Sequence, residues 1–305
     1  MLDFSKVTIT VIGDVMLDTY IYGSCDRVSP EAPVPVVNVN KFCHQLGGAA
    51  NVALNITSLG ARVALFGSAA VEGGVARLWR ETVPADNLFV LSGSKETKKT
   101  RVIANGQQVV RYDQDAHFTW EPEREALFLE KAFHAILTSN AVILADYNKG
   151  FLTDSVSEKL VAFSARKSVP CFVDPKDGWG KFSGCFCLKP NKYELERNYP
   201  GVDWHGHLDN QLRGICRGLN IDNILLTLGE GGMVLASPDD FFTIRSRAKE
   251  VFDVSGAGDT AIATLATAYS SGLSMKESAI LANQAAGIVV GKRGTRPITI
   301  EELNQ

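Results

Sequence analysis

Short runs of apolar and β-branched residues alternate with segments of helical periodicity, and this alternation restricts the fold more than any other feature of the sequence. The strand-like runs lie at residues 7–12, 62–66, 141–145, 170–173 and 224–228. Helical spacing occurs at 48–59, 123–137 and 154–167, and two Ala-rich helices are expected at 257–271 and 275–290. Strands that alternate with helices form βαβ units, whose mostly parallel sheet is covered on both faces. The sequence therefore predicts a single α/β domain over residues 1–305.

Two segments interrupt this alternation. Residues 18–43 contain Pro30, Pro33 and Pro35 among several valines, which favours an extended segment that cannot lie in the middle of a sheet. Residues 98–113 contain two short strand-like runs around an Asn-Gly dipeptide, which strongly prefers a hairpin turn. Together these segments predict a small β lid that projects from the main sheet.

Composition and charge exclude several classes of protein. Hydrophobic residues make up 45% of the chain and charged residues 21%, which excludes a disordered or fibrous protein. A net charge of −3 argues against non-specific binding of nucleic acid through phosphate contacts. No apolar run reaches the roughly 18–20 residues that cross a bilayer, and the N-terminus lacks the regions of a signal peptide. The six irregularly spaced cysteines indicate reduced thiols, so we expect a cytoplasmic protein without membrane or nucleic-acid partners.

A glycine-rich segment at residues 252–260 precedes the first Ala-rich helix. Gly256 and Gly258 allow a tight turn, so the helix is expected to begin within 256–258 and to leave its first amide groups free. Such a terminus binds anions through unpartnered N–H donors and the positive end of the helix dipole. Gly256, Ala257 and Gly258 therefore form a candidate anion hole, and Asp259 lies in the same turn.

Three interpretations of this segment compete. Asp259 alone is typical of a surface carboxylate that stabilises a helix N-terminus. Residues 256–261 formally match a dinucleotide-binding loop of a dehydrogenase, but no strand follows to carry the ribose-binding acid, and Asp259 would repel a pyrophosphate. Phosphoryl transfer uses both features, because amides stabilise the transferred group while the carboxylate accepts the proton of the attacking hydroxyl. The sequence contains neither a P-loop nor the protein-kinase motifs, which excludes those two kinase classes.

Four motifs, in chain order, resemble those of the PfkB or ribokinase-type carbohydrate kinases. They lie at 46–53 (Leu-Gly-Gly-Ala-Ala-Asn-Val-Ala), 189–194 (Lys-Pro-Asn-x-x-Glu), 227–232 (Thr-Leu-Gly-x-x-Gly) and 253–260. Segments 27–36, 146–150, 173–176 and 282–295 further resemble the branch of D-glycero-β-D-manno-heptose-7-phosphate kinases. The resemblance implies a ribokinase-like three-layer fold with a β lid. It also implies a stand-alone kinase that uses ATP and Mg²⁺ to phosphorylate the anomeric C1 hydroxyl of this heptose phosphate, in the pathway to bacterial lipopolysaccharide core.

The resemblance assigns a role to each matching residue, with Asp259 as the catalytic base. The substrate set is Asp14 and Asn51 for sugar hydroxyls, Gly47 and Gly48 for the ring, Arg101, Arg111, Lys149 and Lys176 as candidates for the substrate phosphate, and Asn105 and Gln107 at the lid tip. The ATP set is Asn191, Lys192, Tyr193, Glu194, Thr227, Gly229, Gly232 and Asn283. Asn191 and Glu194 would organise Mg²⁺ through water, although the same pair fits a helix capping box. Asp253 and Ser255 would bind a monovalent cation such as K⁺, and pairing through the lids would give a homodimer.

Two further functions stay open at this point. Another sugar kinase of the same family would act on ribose, fructose or a nucleoside, which lack the phosphate that the candidate cations would bind. A non-catalytic sugar or nucleotide sensor would keep the fold, but it would have no use for a base at Asp259.

Overall fold

The computed structural model describes residues 2–70, 73–83, 88–90, 95–204, 206–248, 251–292 and 294–305. In chain order the strands are β1 (Thr8–Gly13), β2 (Val15–Val28), β3 (Pro35–Gly48), β4 (Arg62–Gly67), β5 (Leu88–Val90), β6 (Thr97–Ala104), β7 (Gln107–Gln114), β8 (Ala141–Ala145), β9 (Cys171–Asp174), β10 (Cys187–Leu188), β11 (Asn223–Thr227), β12 (Met233–Ala236) and β13 (Phe241–Ile244). The helices are α1 (Ala49–Ser58), α2 (Gly74–Thr82), α3 (Pro122–Leu137), α4 (Asp154–Arg166), α5 (Lys192–Asn198), α6 (Leu208–Leu219), α7 (Ala257–Ser270), α8 (Met275–Val289) and α9 (Ile300–Leu303).

The main sheet has the strand order β13-β12-β11-β10-β9-β8-β1-β4-β5. All pairs from β11 to β5 are parallel, whereas β11, β12 and β13 pair antiparallel at one edge. The predicted mostly parallel α/β sheet is therefore confirmed. The antiparallel edge was not predicted, because β12 and β13 are short and only the turn at 237–240 separates them.

Helices cover both faces of this sheet, which gives three layers. Ile9 and Val11 of β1 point to one face and join a core with α1, α7 and α8, whereas Ile12 points to the other face and packs with α3, α4 and α6. Both faces are apolar because each one is buried, as expected for parallel strands. The Ala-rich composition of α7 and α8 lets them pack closely on each other and on the sheet. No helix in the described part of the chain is long and apolar enough to cross a membrane.

A second sheet of order β3-β2-β6-β7 forms the lid. The β6–β7 turn contains Asn105 at φ 51° and Gly106 at φ 81°, the positive angles that a tight two-residue hairpin requires. Pro30 and Pro33 lie between β2 and β3, and Pro35 begins β3, so none interrupts a central strand. A single residue, Asp14, separates β1 from β2, and β3 leads directly into α1. The lid therefore starts and ends at the carboxyl edge of the main sheet, where open α/β sheets bind ligands.

Candidate active site

The N-terminus of α7 is the centre of the site. Gly256 precedes the helix with φ 80°, and a Cβ there would lie 2.6 Å from Cγ2 of Thr295, so only glycine fits without strain. The Ala257 amide donates to the Val254 carbonyl at 3.3 Å, which closes the turn. The expectation of a free amide is therefore wrong for Ala257. For the amides of Gly256, Gly258 and Asp259, the structure records no acceptor among the residues it describes.

Asp259 is held at this terminus by two donors from distant parts of the chain. Nδ2 of Asn51 donates to Oδ2 at 2.6 Å, and the Tyr147 hydroxyl donates to Oδ1. Burial raises the pKa of Asp259, which both hydrogen bonds and the nearby Lys189 partly offset. The carboxylate is therefore fixed in orientation and more basic than an exposed aspartate, as a general base requires.

Asn51, predicted to hold a sugar hydroxyl, uses its amide group to donate to Asp259. It is buried on α1, where Oδ1 also accepts from Nδ2 of Asn55 at 3.3 Å. Gly47 and Gly48 are glycines because a Cβ would lie 2.5 Å from Oδ2 of Asp18 and 2.4 Å from the Asp14 carbonyl, respectively. The first approach is to β2 and the second is to the residue just before it, so both bring the start of β2 and the end of β3 together at the root of the lid.

Asp14 is 4% exposed, and its carboxylate accepts three backbone amides. The donors are Tyr147 at 2.9 Å, Lys149 at 3.1 Å and Phe151 at 3.2 Å. The predicted role of Asp14 was to bind sugar hydroxyls, but most of its acceptor capacity is used to hold the loop after β8.

The candidate cations for the substrate phosphate are divided between several places. Arg101 pairs with Asp18 at 2.8 Å, and Arg111 pairs with Asp113 at 2.6 Å, both within the lid. Lys149, at the end of the Asp14-bound loop, is 2.7 Å from Oδ2 of Asp115, and it lines a cavity of about 480 Å³ together with Asp14.

Lys176 lies elsewhere, 3.1 Å from Oε1 of Glu194. This contact joins Lys176 to the motif predicted for ATP and Mg²⁺, and its assignment to the substrate phosphate stays a prediction. Asn105 and Gln107 are at the β6–β7 turn, six residues along the strand from Lys99, or about 20 Å. They lie at the far end of the lid from Lys99, and their contact with the sugar stays a prediction.

Lys99 on β6 was missed by the sequence analysis. It lies opposite Asp18 of β2 and Asp113 of β7, and its ammonium is 5.4 Å from the centre of the Tyr147 ring. Burial lowers the pKa of Lys99, which the acids around it partly counteract. No acid among the described residues forms an ion pair with it within 4 Å. Its position two residues before Arg101 on a strand was a signal that both share one face.

A buried ion pair beneath α7 was also missed. Nζ of Lys189 is 2.9 Å from Oδ1 of Asp174, and it would lie 3.3 Å from a Cβ at Gly258. Burial opposes the charge on Lys189, but Asp174, Glu194 and Asp259 outweigh it and raise its pKa. Burial also opposes the charge on Asp174, and it raises the pKa of this carboxyl group to about 7 even though Lys189 lies beside it. A positive charge therefore lies directly under the free amides of the helix start.

The predicted ATP residues meet the same helix start in a cavity of about 720 Å³, a size typical of small-molecule sites. Thr227, Gly229, Gly232 and Asn283 line it together with Ala257 and Gly258. A Cβ at Gly232 would lie 2.1 Å from the Ile244 carbonyl, so the turn after β11 requires glycine. One face of the cavity is therefore the anion-binding terminus itself.

Lys192 and Tyr193 do not line this cavity. Nζ of Lys192 lies 4.6 Å from the ring centre of Trp204, and Tyr193 is 62% exposed, so their assignment to ATP is not supported by the structure. Asn191 and Glu194 form a complete capping box on α5, with both hydrogen bonds at 2.9 Å. The Thr227 amide also donates to the Pro190 carbonyl at 3.0 Å, which joins this motif to the nucleotide cavity.

Among the residues described, no group of three or more His, Cys, Asp or Glu side chains could hold a metal ion directly. Both oxygens of Glu194 already have partners, Lys176 and the Asn191 amide. Mg²⁺ retains several waters and takes few direct protein ligands, so the site fits a metal held on ATP through water rather than a metal cage. Oδ1 of Asp253 accepts the Ser255 amide at 2.9 Å just before the helix, and a cation role for these two residues stays a prediction.

Comparison with known proteins agrees with this geometry. Residues 7–302 match the family model described as pfkB family carbohydrate kinase. The bifunctional protein HldE of Sulfurimonas denitrificans is 39% identical over 97% of this chain and 63% of its own length. The HldE of Hydrogenovibrio crunogenus is 41% identical over the whole chain and 64% of its own length. The chain thus spans just under two thirds of the length of these curated relatives.

Solved structures share the fold at low identity. The ribokinase of Arabidopsis thaliana, complexed with ribose and ATP, has a TM-score of 0.79 at 18% identity and covers 98% of this chain and 97% of its own. Phosphofructokinase-2 of Escherichia coli in complex with potassium has a TM-score of 0.77 at 16% identity, with coverage of 98% and 97%. These matches confirm the predicted ribokinase-like fold. With the family match over nearly the whole sequence, they show that the chain belongs to the pfkB family of carbohydrate kinases.

Proposed function

We propose that this sugar kinase transfers the terminal phosphoryl group of ATP to the anomeric hydroxyl of D-glycero-β-D-manno-heptose 7-phosphate. The observation that carries the phosphoryl-transfer mechanism is the position of Asp259 in the first turn of α7, next to Gly258, which lines the 720 Å³ cavity and whose amide has no acceptor among the described residues. ATP in that cavity would direct its phosphates toward the start of α7.

The reaction steps follow from this arrangement. The acceptor hydroxyl attacks the terminal phosphorus of ATP, its proton passes to Asp259, and ADP leaves. The amides of Gly258 and Asp259, with the Lys189 charge beneath them, stabilise the negative charge on the transferred group. Mg²⁺ on the ATP phosphates would neutralise part of their charge, and Asn191 and Glu194 would hold its waters. A base contributes about 10²–10⁴-fold to such a reaction.

The lid supports an acceptor that already carries a phosphate. In the described part of the lid, Arg101 pairs with Asp18 and Arg111 pairs with Asp113, whereas Lys99 of β6 has no ion-pair partner within 4 Å. The Lys99 ammonium would therefore be available to an anion bound between lid and sheet. Lys99 lies over Tyr147, which contacts the base, so a sugar between lid and sheet would reach both. The heptose identity itself rests on the sequence resemblance.

A panel of acceptors tests the proposal, with ADP release as the assay. We expect turnover with heptose 7-phosphate and at least tenfold lower kcat/KM with the unphosphorylated heptose, ribose or fructose. Preference for a neutral sugar would overturn the acceptor assignment but keep the kinase mechanism. Binding of ATP and heptose phosphate without ADP release would instead indicate a sensor.

Asp259→Asn tests the base. The amide keeps the shape of the side chain but cannot accept the proton, so kcat should fall by about 10²–10⁴-fold. The Kd for ATP should change less than twofold, because the cavity and the backbone amides are unaltered. Retained turnover would reject Asp259 as the base.

The exposed face of the lid supports a homodimer as the functional form. Val28, Val39, Phe42, Val110 and Tyr112 are each about half exposed or more on this sheet. Pairing of two lids would bury these side chains, which are otherwise unfavourable in water. Sedimentation of the wild-type chain and of Phe42→Glu tests this, since the substitution should shift the mass from dimer to monomer.

A further inference from the structure

We infer that Tyr147 is a positioning residue for Asp259, and that Asp14 acts through the loop that carries this tyrosine. The inference rests on the proposed role of Asp259 as the base. It gives Asp14 a role in orienting the catalytic group besides its predicted contact with a sugar hydroxyl, and it gives a function to a tyrosine that the sequence motifs left without one.

The first observation is the attachment of the carboxylate at two points. Tyr147 donates to Oδ1 from the loop after β8, and Asn51 donates to Oδ2 from α1 at 2.6 Å. Two donors on different oxygens prevent the carboxylate from rotating about its Cβ–Cγ bond. Each oxygen keeps a lone pair, so a sugar hydroxyl can still be accepted. The base is thus held ready before the acceptor arrives, which is how a positioned group lowers the barrier.

The second observation is that Tyr147 is itself fixed. Its amide and the amides of Lys149 and Phe151 all donate to the Asp14 carboxylate, at 2.9–3.2 Å. Asn148 at φ 56° and Gly150 at φ 94° turn the loop so that alternate amides point at one group. β1 and β8 are neighbouring parallel strands, so Asp14 after β1 lies beside this loop. A buried carboxylate with three charge-assisted hydrogen bonds makes a stiff support.

In the hydrogen bond between Tyr147 and Asp259, the tyrosine hydroxyl is the donor and the carboxylate is the acceptor. Burial, together with the Asp259 charge, raises the pKa of its phenol well above 10, so the hydroxyl keeps its proton. A donor to a carboxylate stabilises the ionised form, which opposes the upward effect of burial on the pKa of Asp259. Loss of the hydroxyl should therefore make Asp259 harder to ionise. Titratable groups that act on this pair are Lys99 and Asp18 from the lid, Lys189 and Asp174 from beneath α7, and Glu194 of α5.

The experiment compares Tyr147→Phe with the matched control Tyr20→Phe, whose hydroxyl forms a hydrogen bond of 2.9 Å between β2 of the lid and Oγ1 of Thr295. kcat/KM is measured from pH 4.5 to 9 with saturating ATP. A hydrogen bond to a charged group contributes about 1.5–3 kcal/mol, so Tyr147→Phe should lower kcat about 10- to 100-fold near pH 5–6. The acidic limb of the profile should move up by about one pH unit or more. Tyr20→Phe should leave that limb in place.

A second variant tests the same bond without removing a side chain. 3-Fluorotyrosine at position 147 keeps the shape of the ring and is a stronger donor, so the acidic limb should move to lower pH. A residue that only fills space would give no shift with either variant, and that result would overturn the inference. Asp14→Asn, which loses acceptors for the loop amides, should move the limb in the same direction as Tyr147→Phe.

The two proposals fail in different ways. If Asp259→Asn retains turnover, the base assignment is wrong and the profile has no bearing on Asp259. If Asp259→Asn is inactive but the acidic limb of the pH profile does not move in Tyr147→Phe, only the positioning role of Tyr147 is wrong. In the Asp259→Asn background, addition of Tyr147→Phe should produce no further loss of activity.

Discussion

Substitution of Lys189 by methionine should destabilise the protein in a pH-dependent way. Lys189 is 3% exposed, and its ammonium is 2.9 Å from Asp174, which is 9% exposed. Removal of one partner from a buried pair costs about 3–5 kcal/mol, because the remaining Asp174 must either keep an uncompensated charge or take up a proton. Methionine has a similar volume, so the packing loss is small. The Asp174 charge, rather than a cavity, should therefore determine the effect.

The pH dependence follows from the direction of the shift. Burial raises the pKa of Asp174 to about 7 with Lys189 present, and without the lysine it should rise further. The folded state then holds a proton that the unfolded state has lost, so the free energy of unfolding decreases as pH rises. In the wild type, the contribution of Asp174 to the free energy of unfolding stops decreasing once the pH exceeds the pKa of about 7. In Lys189→Met this contribution continues to decrease, because the pKa of Asp174 is higher. Between pH 6 and 8 the variant should lose about 1 kcal/mol more than wild type.

Urea denaturation at pH 6, 7 and 8, followed by circular dichroism, measures these differences. Lys159→Met is the matched control, because its 2.7 Å pair with Glu125 is at the surface and should contribute at most about 1 kcal/mol without a pH trend. An equal loss for Lys189→Met at all three pH values, or a smaller loss at pH 8 than at pH 6, would refute the reasoning.

Two further substitutions test the site. Lys99→Met should raise KM for the phosphorylated acceptor about tenfold or more, with little change in KM for ATP. The control Lys98→Met, on the opposite face of β6, should change neither KM. Equal effects of the two substitutions would contradict the role of Lys99. Gly256→Ala should lower kcat by at least tenfold, because its Cβ would displace Thr295 and the Asn51 side chain that holds Asp259. The control is Gly60→Ala, because Gly60 has φ 87° but an added Cβ would meet no neighbouring atom. This substitution should cost only about 1–2 kcal/mol of stability and leave kcat unchanged. If Gly60→Ala lowered kcat as much as Gly256→Ala, backbone strain alone would explain the loss of activity in Gly256→Ala.

Much of the fold could be predicted from the sequence because its signals are local. Helices α7 and α8 were expected within one residue of their observed ends, since Ala-rich periodicity and the glycines before α7 act over a few residues. The start of α7 and most of the nucleotide cavity were likewise evident as motifs. The β12–β13 edge was missed because two four-residue strands carry little periodicity.

Partners that are distant in sequence could not be predicted in the same way. Asn51 stands out as a polar residue in an apolar helix, but its contact with Asp259 depends on how α1 and α7 pack. Arg101 was recognised as a cation, whereas its pairing with Asp18 requires the register of β2 and β6. Lys176 illustrates the same limit, because its contact with Glu194 depends on where the chain runs after β9.

The single residue between β1 and β2 limits how this enzyme can change its acceptor. Asp14 donates its amide to Ala145 of β8 and accepts the Ala49 amide of α1, while its side chain holds the loop of Tyr147. The root of the lid is therefore anchored to the same framework that orients the base. Beyond it, the register of β2 and β3 shifts at Tyr22 and again after Ser24. Redesign of acceptor preference is therefore best confined to side chains between this root and those shifts, such as Lys99 opposite Asp18, because a change at Asp14 would also disturb the proposed proton-accepting group.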